Sequence, residues 1–168
     1  STTSTTYSVT GLTASTTYSF TVKAKDAAGN VSVASNAVSV TTTANTITYC
    51  TASATNTNDE RIQKVQLGTI NNVSTGTAGY EDFTALSTNL VRGTSNTITI
   101  TPSWTSTIYS EAYRVYIDYN KDGDFVDAGE SVYSRARTTT TPISGSFTVP
   151  TTATLGATRM RVIMRYNT

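Results

Sequence analysis

The sequence predicts an all-β protein made of antiparallel β-sandwich modules. Threonine and serine dominate the 168 residues, interleaved with valine, isoleucine and tyrosine, a composition that favours strands with polar outer faces. Apolar and polar residues alternate with period two in several stretches, and Gly, Asn and Asp turns separate them. A short polar run, Thr41-Thr42-Thr43-Ala44-Asn45-Thr46, reads as a linker that divides residues 1–44 from a second module, residues 45–168.

In the first module Tyr18, Phe20, Val22 and Ala24 share one face, with Ser19, Thr21, Lys23 and Lys25 on the other. Asp26-Ala27-Ala28-Gly29-Asn30 reads as a turn, and Val31 to Val40 as a further strand. The second module starts near Ile47-Thr48-Tyr49-Cys50. Arg61 to Ile70 reads as a strand region with Val65 and Leu67 inward, followed by turns at Asn71-Asn72 and Gly76–Gly79. The acids of Tyr80-Glu81-Asp82-Phe83 read as solvated charge, with a role as ligands the alternative. Ile98, Ile100, Pro102 and Trp104 alternate with polar residues, and Tyr113, Val115 and Ile117 alternate with Arg114, Tyr116 and Asp118. Val132-Tyr133 and Ser146 to Pro150 follow. The last strand sets Met160, Val162, Met164 and Tyr166 against Arg159, Arg161, Ile163 and Arg165, with the arginines expected on the wet face of a sheet and contact with phosphate or an acidic glycan as the alternative.

One stretch carries chemistry. Asp118, Asn120, Asp122 and Asp124 recur at every second position, Gly123 falls between the last two, and Asp127 and Glu130 follow. Calcium takes six to eight oxygen ligands, and a tight loop supplies several of them where the backbone turns sharply. Gly123 permits that turn because it lacks a Cβ. Counted from Asp118, the spacing fits positions one, three, five, six and seven of a calcium loop, but position twelve is Gly129 and the glutamate comes one residue later. The flanks have strand periodicity, so the expected arrangement is strand, acidic loop, strand. Two readings stand: a structural calcium site formed by Asp118, Asn120, Asp122, Asp124, Asp127 and Glu130, or a plain hairpin with solvated acids.

Composition excludes several function classes. Charged residues make up 14% of the chain and the net charge is +1, which is not the electrostatic footprint of a nucleic-acid binder. No apolar run approaches the length of a membrane span. With no histidine and one cysteine, this chain holds no Ser-His-Asp triad, no Cys-His dyad and no multi-His/Cys zinc site. Carboxylate-pair hydrolysis remains open on composition, but no two of Glu60, Glu81, Asp82 and Glu130 are placed together by any motif. The lone Cys50 is a buried filler, a free thiol or half of a disulfide. Trp104 and Tyr116 are candidates for stacking on sugar rings; the other reading of such aromatics is core packing.

Two resemblances follow from ordered sets of residues. Leu12, Thr17-Tyr18, Val22-Lys23-Ala24, Asp26, Gly29-Asn30 and Ser35-Asn36 resemble the second half of a fibronectin type III domain, in which Tyr18 would be the corner tyrosine. Only the last strands of such a sandwich are present, so the natural protein is expected to extend before Ser1. Tyr49-Cys50, Gly68 to Asn72, Gly79 to Thr84, Arg114 to Asn120, Asp122 to Phe125, Gly129-Glu130, Phe147 to Pro150 and Thr158 to Val162 resemble the GEVED domain, a β-sandwich module of secreted multidomain proteins, chiefly of Bacteroidota. The Gly-Glu-Val-Glu-Asp motif itself is absent, and a closing strand is expected beyond Thr168. The resemblance implies a jelly-roll-like sandwich, a second cysteine near the closing end as partner for Cys50, and export through the type IX secretion system.

The expected function is therefore a noncatalytic extracellular accessory, adhesion or spacer module of a secreted or cell-surface protein, stiffened by calcium. Its expected partners are other domains of the same polypeptide, with a glycan or a cell-surface or secretion-system protein as further possibilities. The alternatives are a carbohydrate-binding module on a secreted hydrolase, and an exported substrate or filament subunit.

Overall fold

A computed structural model describes residues 4, 6–44, 46–76 and 78–166. The chain divides into two compact units, Ser1–Thr46 and Ile47–Thr168. All nine regular elements among the described residues are strands, and every pairing is antiparallel, as the composition and period-two alternation predict.

The first unit holds β1 (Thr17–Phe20) and β2 (Val38–Thr41), paired with Tyr18 opposite Val40. Tyr18 and Phe20 are half-buried and their rings lie 6.3 Å apart. The Tyr18 hydroxyl accepts the Thr13 backbone N–H at 2.9 Å, which pins the chain five residues upstream. Two expectations need correction. The alternation through Val22 and Ala24 does not continue β1, and the strand expected over Val31 to Val40 is reduced to Val38–Thr41, preceded by an isolated bridge between Lys25 and Val31. Val22, Val31 and Val33 are exposed, so no burial holds those residues in a ladder. The turn between them forms as expected: Asp26 accepts the Asn30 N–H and side-chain amide through its carboxylate, both at 2.8 Å.

The second unit contains a four-stranded and a three-stranded sheet. The first sheet has the order β4-β3-β5-β8, formed by β3 (Glu60–Leu67), β4 (Ile70–Val73), β5 (Ser95–Trp104) and β8 (Ile143–Thr148). The second has the order β7-β6-β9, with β6 (Glu111–Ile117) between β7 (Ser131–Thr138) and β9 (Met160–Tyr166). On β5, Ile98 and Ile100 are fully buried and Pro102 is buried, while Thr97 and Thr99 hydrogen-bond Ser146 and Ser144 across the strand pair. On β6, Tyr113 and Val115 are fully buried and Ile117 nearly so. These two strands supply half of one buried apolar cluster, completed by Leu67, Ile143, Phe147, Val149 and Ala153. Burying each large aliphatic side chain contributes about 1.5–3 kcal/mol.

Gly145 on β8 lies under the Tyr133 ring of β7. A Cβ at Gly145 would come 2.0 Å from Tyr133 Cε2, so the absence of a side chain lets the aromatic of one sheet close over the backbone of the other.

Candidate functional site

The acidic loop joins β6 to β7, so the expected strand–loop–strand arrangement is what forms. The six sequence-derived candidates separate into two layers. Asp118 follows the last residue of β6 and Glu130 precedes the first of β7; both sit against the core and are 0% and 2% exposed. Asp122, Asp124 and Asp127 are exposed, and one carboxylate oxygen from each lies within 4.8 Å of the others. Asn120 links the three-residue cluster internally: its Nδ2 donates to Asp122 Oδ2 at 2.8 Å and to Asp127 Oδ2 at 2.7 Å.

The every-second-residue spacing has a local physical cause. Asn120 Oδ1 accepts the Asp122 N–H, Asp122 Oδ1 accepts the Asp124 N–H, and Asp124 Oδ1 accepts the Val126 N–H, at 2.9–3.1 Å. Each side chain thus folds back on the backbone two residues ahead, and Asp122 has its second oxygen on the Asn120 amide. Asp118 anchors the loop from below, accepting the Lys121 N–H at 2.6 Å on Oδ1 and the Gly123 N–H at 3.1 Å on Oδ2. Gly123 has φ of 99°, and a Cβ there would also press on Ile47 Cγ2 at 2.9 Å. Glycine is required for both reasons.

Glu130 accepts the Tyr119 N–H on Oε1 at 2.8 Å, but its buried Oε2 has no hydrogen-bond partner among the described residues. Burial pushes the Glu130 carboxyl above its usual range; the backbone N–H groups of Tyr119 and Asn120 oppose that, and the charges of Asp118 and Asp127 reinforce it. The Asp122 carboxyl is held below the usual range, first by the Asn120 amide and then by the Asp124 N–H. This donor set, all oxygen with surplus negative charge and one unpartnered inward carboxylate oxygen, suits a hard cation such as calcium.

The two proposed sugar-stacking residues lie in different sheets. Trp104 ends β5, half-buried, with its indole N–H buried and unpartnered among the described residues. Tyr116 is half-buried on β6, its ring 5.9 Å from Phe125 and its hydroxyl accepting from Arg114. Other sequence readings are corrected. Glu81 is not simply solvated: it accepts hydrogen bonds from Ser74 and from the Gly76 N–H. Arg159 and Arg161 are not on a wet face. Their guanidinium carbons lie 4.8 Å from the ring centroids of Tyr49 and Phe125 respectively, and those two rings stack at 5.3 Å. Cys50 is a free, exposed thiol that accepts from Arg161 Nη1 at 3.2 Å.

Sequence reasoning missed Glu111, which is fully buried with both carboxylate oxygens unpartnered among the described residues. Its parity with Tyr113, Val115 and Ile117 was the available signal. It also missed the roles of Tyr49 and Phe125, for which the sequence offers no local cue.

Residues 112–168 match the GEVED domain. The GEVED match opens within β6 and takes in the whole acidic loop, β7, β8 and β9. The chain is also similar to parts of several hydrolases. It is 76% identical over 42 residues to Chitinase Chi52 of Paenibacillus xylanexedens, covering 25% of the chain. It is 51% identical over 86 residues to Exoglucanase A of Cellulomonas fimi, covering 49%, and 33% identical over 173 aligned positions to Exoglucanase B of the same organism, covering 98%. The chain spans only 8%, 9% and 15% of the lengths of these three relatives. No solved structure matches it.

Proposed function

We propose that this chain is a noncatalytic, extracellular accessory module of a larger polysaccharide-degrading protein, working beside other domains of the same polypeptide. The observation that carries this reading is the partial match: relatives named as chitinases and exoglucanases share with it a segment of at most 15% of their length. Among the described residues, neither the pocket between β6 and β7 nor the one lined by Tyr49, Tyr80, Arg159 and Arg161 carries a carboxylate in its lining, whereas glycoside hydrolysis requires a pair of them. The decisive test is turnover by the purified chain on chitin, cellulose and peptide panels. No product is expected, and any turnover abolished by a carboxylate substitution would defeat the proposal.

The acidic loop is proposed to hold calcium in a structural role, with Asp122, Asp124, Asp127 and Asn120 as the accessible donors and Asp118 and Glu130 as the buried ones. The unpartnered Glu130 Oε2 supports this, because a buried carboxylate oxygen facing other acids is costly without a cation. When bound, the ion would neutralise the cluster and tie the two strand ends together. The first unit is proposed as the closing part of a fibronectin type III module, supported by the Tyr18–Thr13 bond, and export by a type IX route remains a proposal on the GEVED resemblance.

A second reading, glycan binding, is favoured by the polysaccharide-acting names of the relatives and by a pocket lined with tyrosines beside the acidic loop. Binding of the chain to chito- or cello-oligosaccharides in calorimetry would support it; absence of binding to every glycan tried, with calcium present, would remove it.

A further inference from the structure

Next to the acidic loop, between the start of the second unit and β9, lies a pocket of about 300 Å³. Tyr49, Cys50, Tyr80, Arg159 and Arg161 are among the residues that line it. Two of these are planar cations and two are aromatic. The guanidinium groups are held in place by stacking, Arg159 on Tyr49 and Arg161 on Phe125. Stacking uses the face of a guanidinium and leaves its in-plane N–H donors for an acceptor. Arg161 commits two of its nitrogens to Cys50, with Nη1 on Sγ at 3.2 Å and Nη2 on the carbonyl oxygen at 2.6 Å. Among the described residues the Arg159 guanidinium makes no hydrogen bond, its backbone carbonyl alone accepting the Asp118 N–H, and neither arginine makes an ion pair. Asp82 feels the charge of Arg159 but is exposed and is engaged with Thr84.

A half-buried cation with its donors unspent, beside a second one, is a preorganised site for a planar carboxylate. Tyr80 is 47% exposed and adds an aromatic face at the same pocket. The volume lies at the small end of ligand pockets, roughly 300–1,000 Å³, which suits one ring rather than an extended chain. We propose that this pocket binds the carboxylate of a uronic acid unit in an acidic oligosaccharide, with Arg159 as the principal carboxylate ligand, Arg161 as its neighbour and Tyr80 against the sugar ring. The inference rests on the glycan-binding reading and specifies its site and ligand class.

The test is calorimetric titration of the full chain with trigalacturonate, its methyl ester, chitohexaose and an aspartate-rich peptide. Trigalacturonate is expected to bind, and the methyl ester, which keeps the ring and loses the charge, at least about tenfold more weakly. Arg159→Ala is expected to weaken trigalacturonate binding about tenfold or more, and Arg159→Lys to weaken it as well, because an ammonium keeps the charge but not the fork. Arg159→Lys with an unchanged melting temperature separates lost recognition from lost folding. Equal binding of acid and ester, or unchanged binding by both variants, overturns the proposal. Tighter binding of the peptide overturns it in favour of an acidic protein partner. Binding of chitohexaose without trigalacturonate overturns it while leaving the glycan reading intact, and binding of neither defeats both.

Discussion

The Tyr49 hydroxyl donates to Asp118 Oδ2 at 2.7 Å, across 69 positions of sequence. This bond fastens the first residues of the second unit to the buried anchor of the acidic loop, and the Tyr49–Phe125 stack and the Gly123–Ile47 contact reinforce it. Burial first, then the Asp118 carboxylate, push the Tyr49 phenol above its usual range, so it stays a donor throughout the neutral range. Tyr49→Phe keeps the ring and removes the bond. It is expected to cost about 1.5–3 kcal/mol, the range for a hydrogen bond to a charged group. A urea midpoint unchanged from wild type would show that Asp118 is held by its backbone donors alone.

Calcium is expected to raise the melting temperature of the full chain. At one hundred times its dissociation constant a ligand specific to the folded state adds about 2.7 kcal/mol. Scanning calorimetry with calcium and with chelator measures the shift. Asp122→Ala is expected to abolish it while leaving the chelated melting point within a few degrees, because Asp122 is exposed and outside the core. An identical shift in Asp122→Ala would remove the loop as the cation site.

Gly145→Ala puts a methyl group where the Tyr133 ring lies. Displacing that ring disturbs the contact between β7 and β8, and the expected cost is about 1–3 kcal/mol, typical of overpacking. Combining Gly145→Ala with Tyr133→Ala should recover part of the loss, since the clash goes with the ring. A purely additive double mutant would show that Gly145 matters for its backbone and not for Tyr133.

Burial first, then the charge of Glu60, push the Glu111 carboxyl above its usual range, with Arg137 opposing. A raised folded value means that the folded chain keeps the proton where the unfolded chain has released it. The resulting stabilisation is complete below the unfolded carboxylate value and is lost as pH rises through the folded one. Glu111→Met removes the charge and both unpartnered oxygens. It is expected to stabilise the chain at pH 7 by about 1–3 kcal/mol, with the advantage shrinking as pH falls towards roughly 4.3, the ordinary glutamate value. Denaturant curves at several pH values decide it; a variant less stable than wild type at pH 7 would mean that the carboxylate is satisfied in solution.

Much of the second unit was legible because its information is local. The alternation of Ile98, Ile100 and Pro102, and of Tyr113, Val115 and Ile117, names the inward face of β5 and β6 without reference to any partner. The spacing of Asp118, Asn120, Asp122 and Asp124 names the loop, because an Asx side chain captures the backbone N–H two residues on whatever surrounds it. The same local rule overran at Val31 to Val40, where alternation is present but Val31, Val33, Val38 and Val40 are exposed.

Tertiary structure decided the rest. Period two says which residues share a face, not what covers that face, so Arg159 and Arg161 read as solvent-facing until Tyr49 and Phe125 arrive from distant positions to stack on them. The same limit hid the burial of Glu111. It also hid the division of the acidic loop, in which proximity to the core sets Asp118 and Glu130 inside and leaves Asp122, Asp124 and Asp127 outside. Strand identity and turn chemistry arise from contacts within a few residues, which the sequence displays directly. Charge environment and site geometry arise from contacts such as Tyr49 with Asp118, whose pairing is set only when the sheets pack.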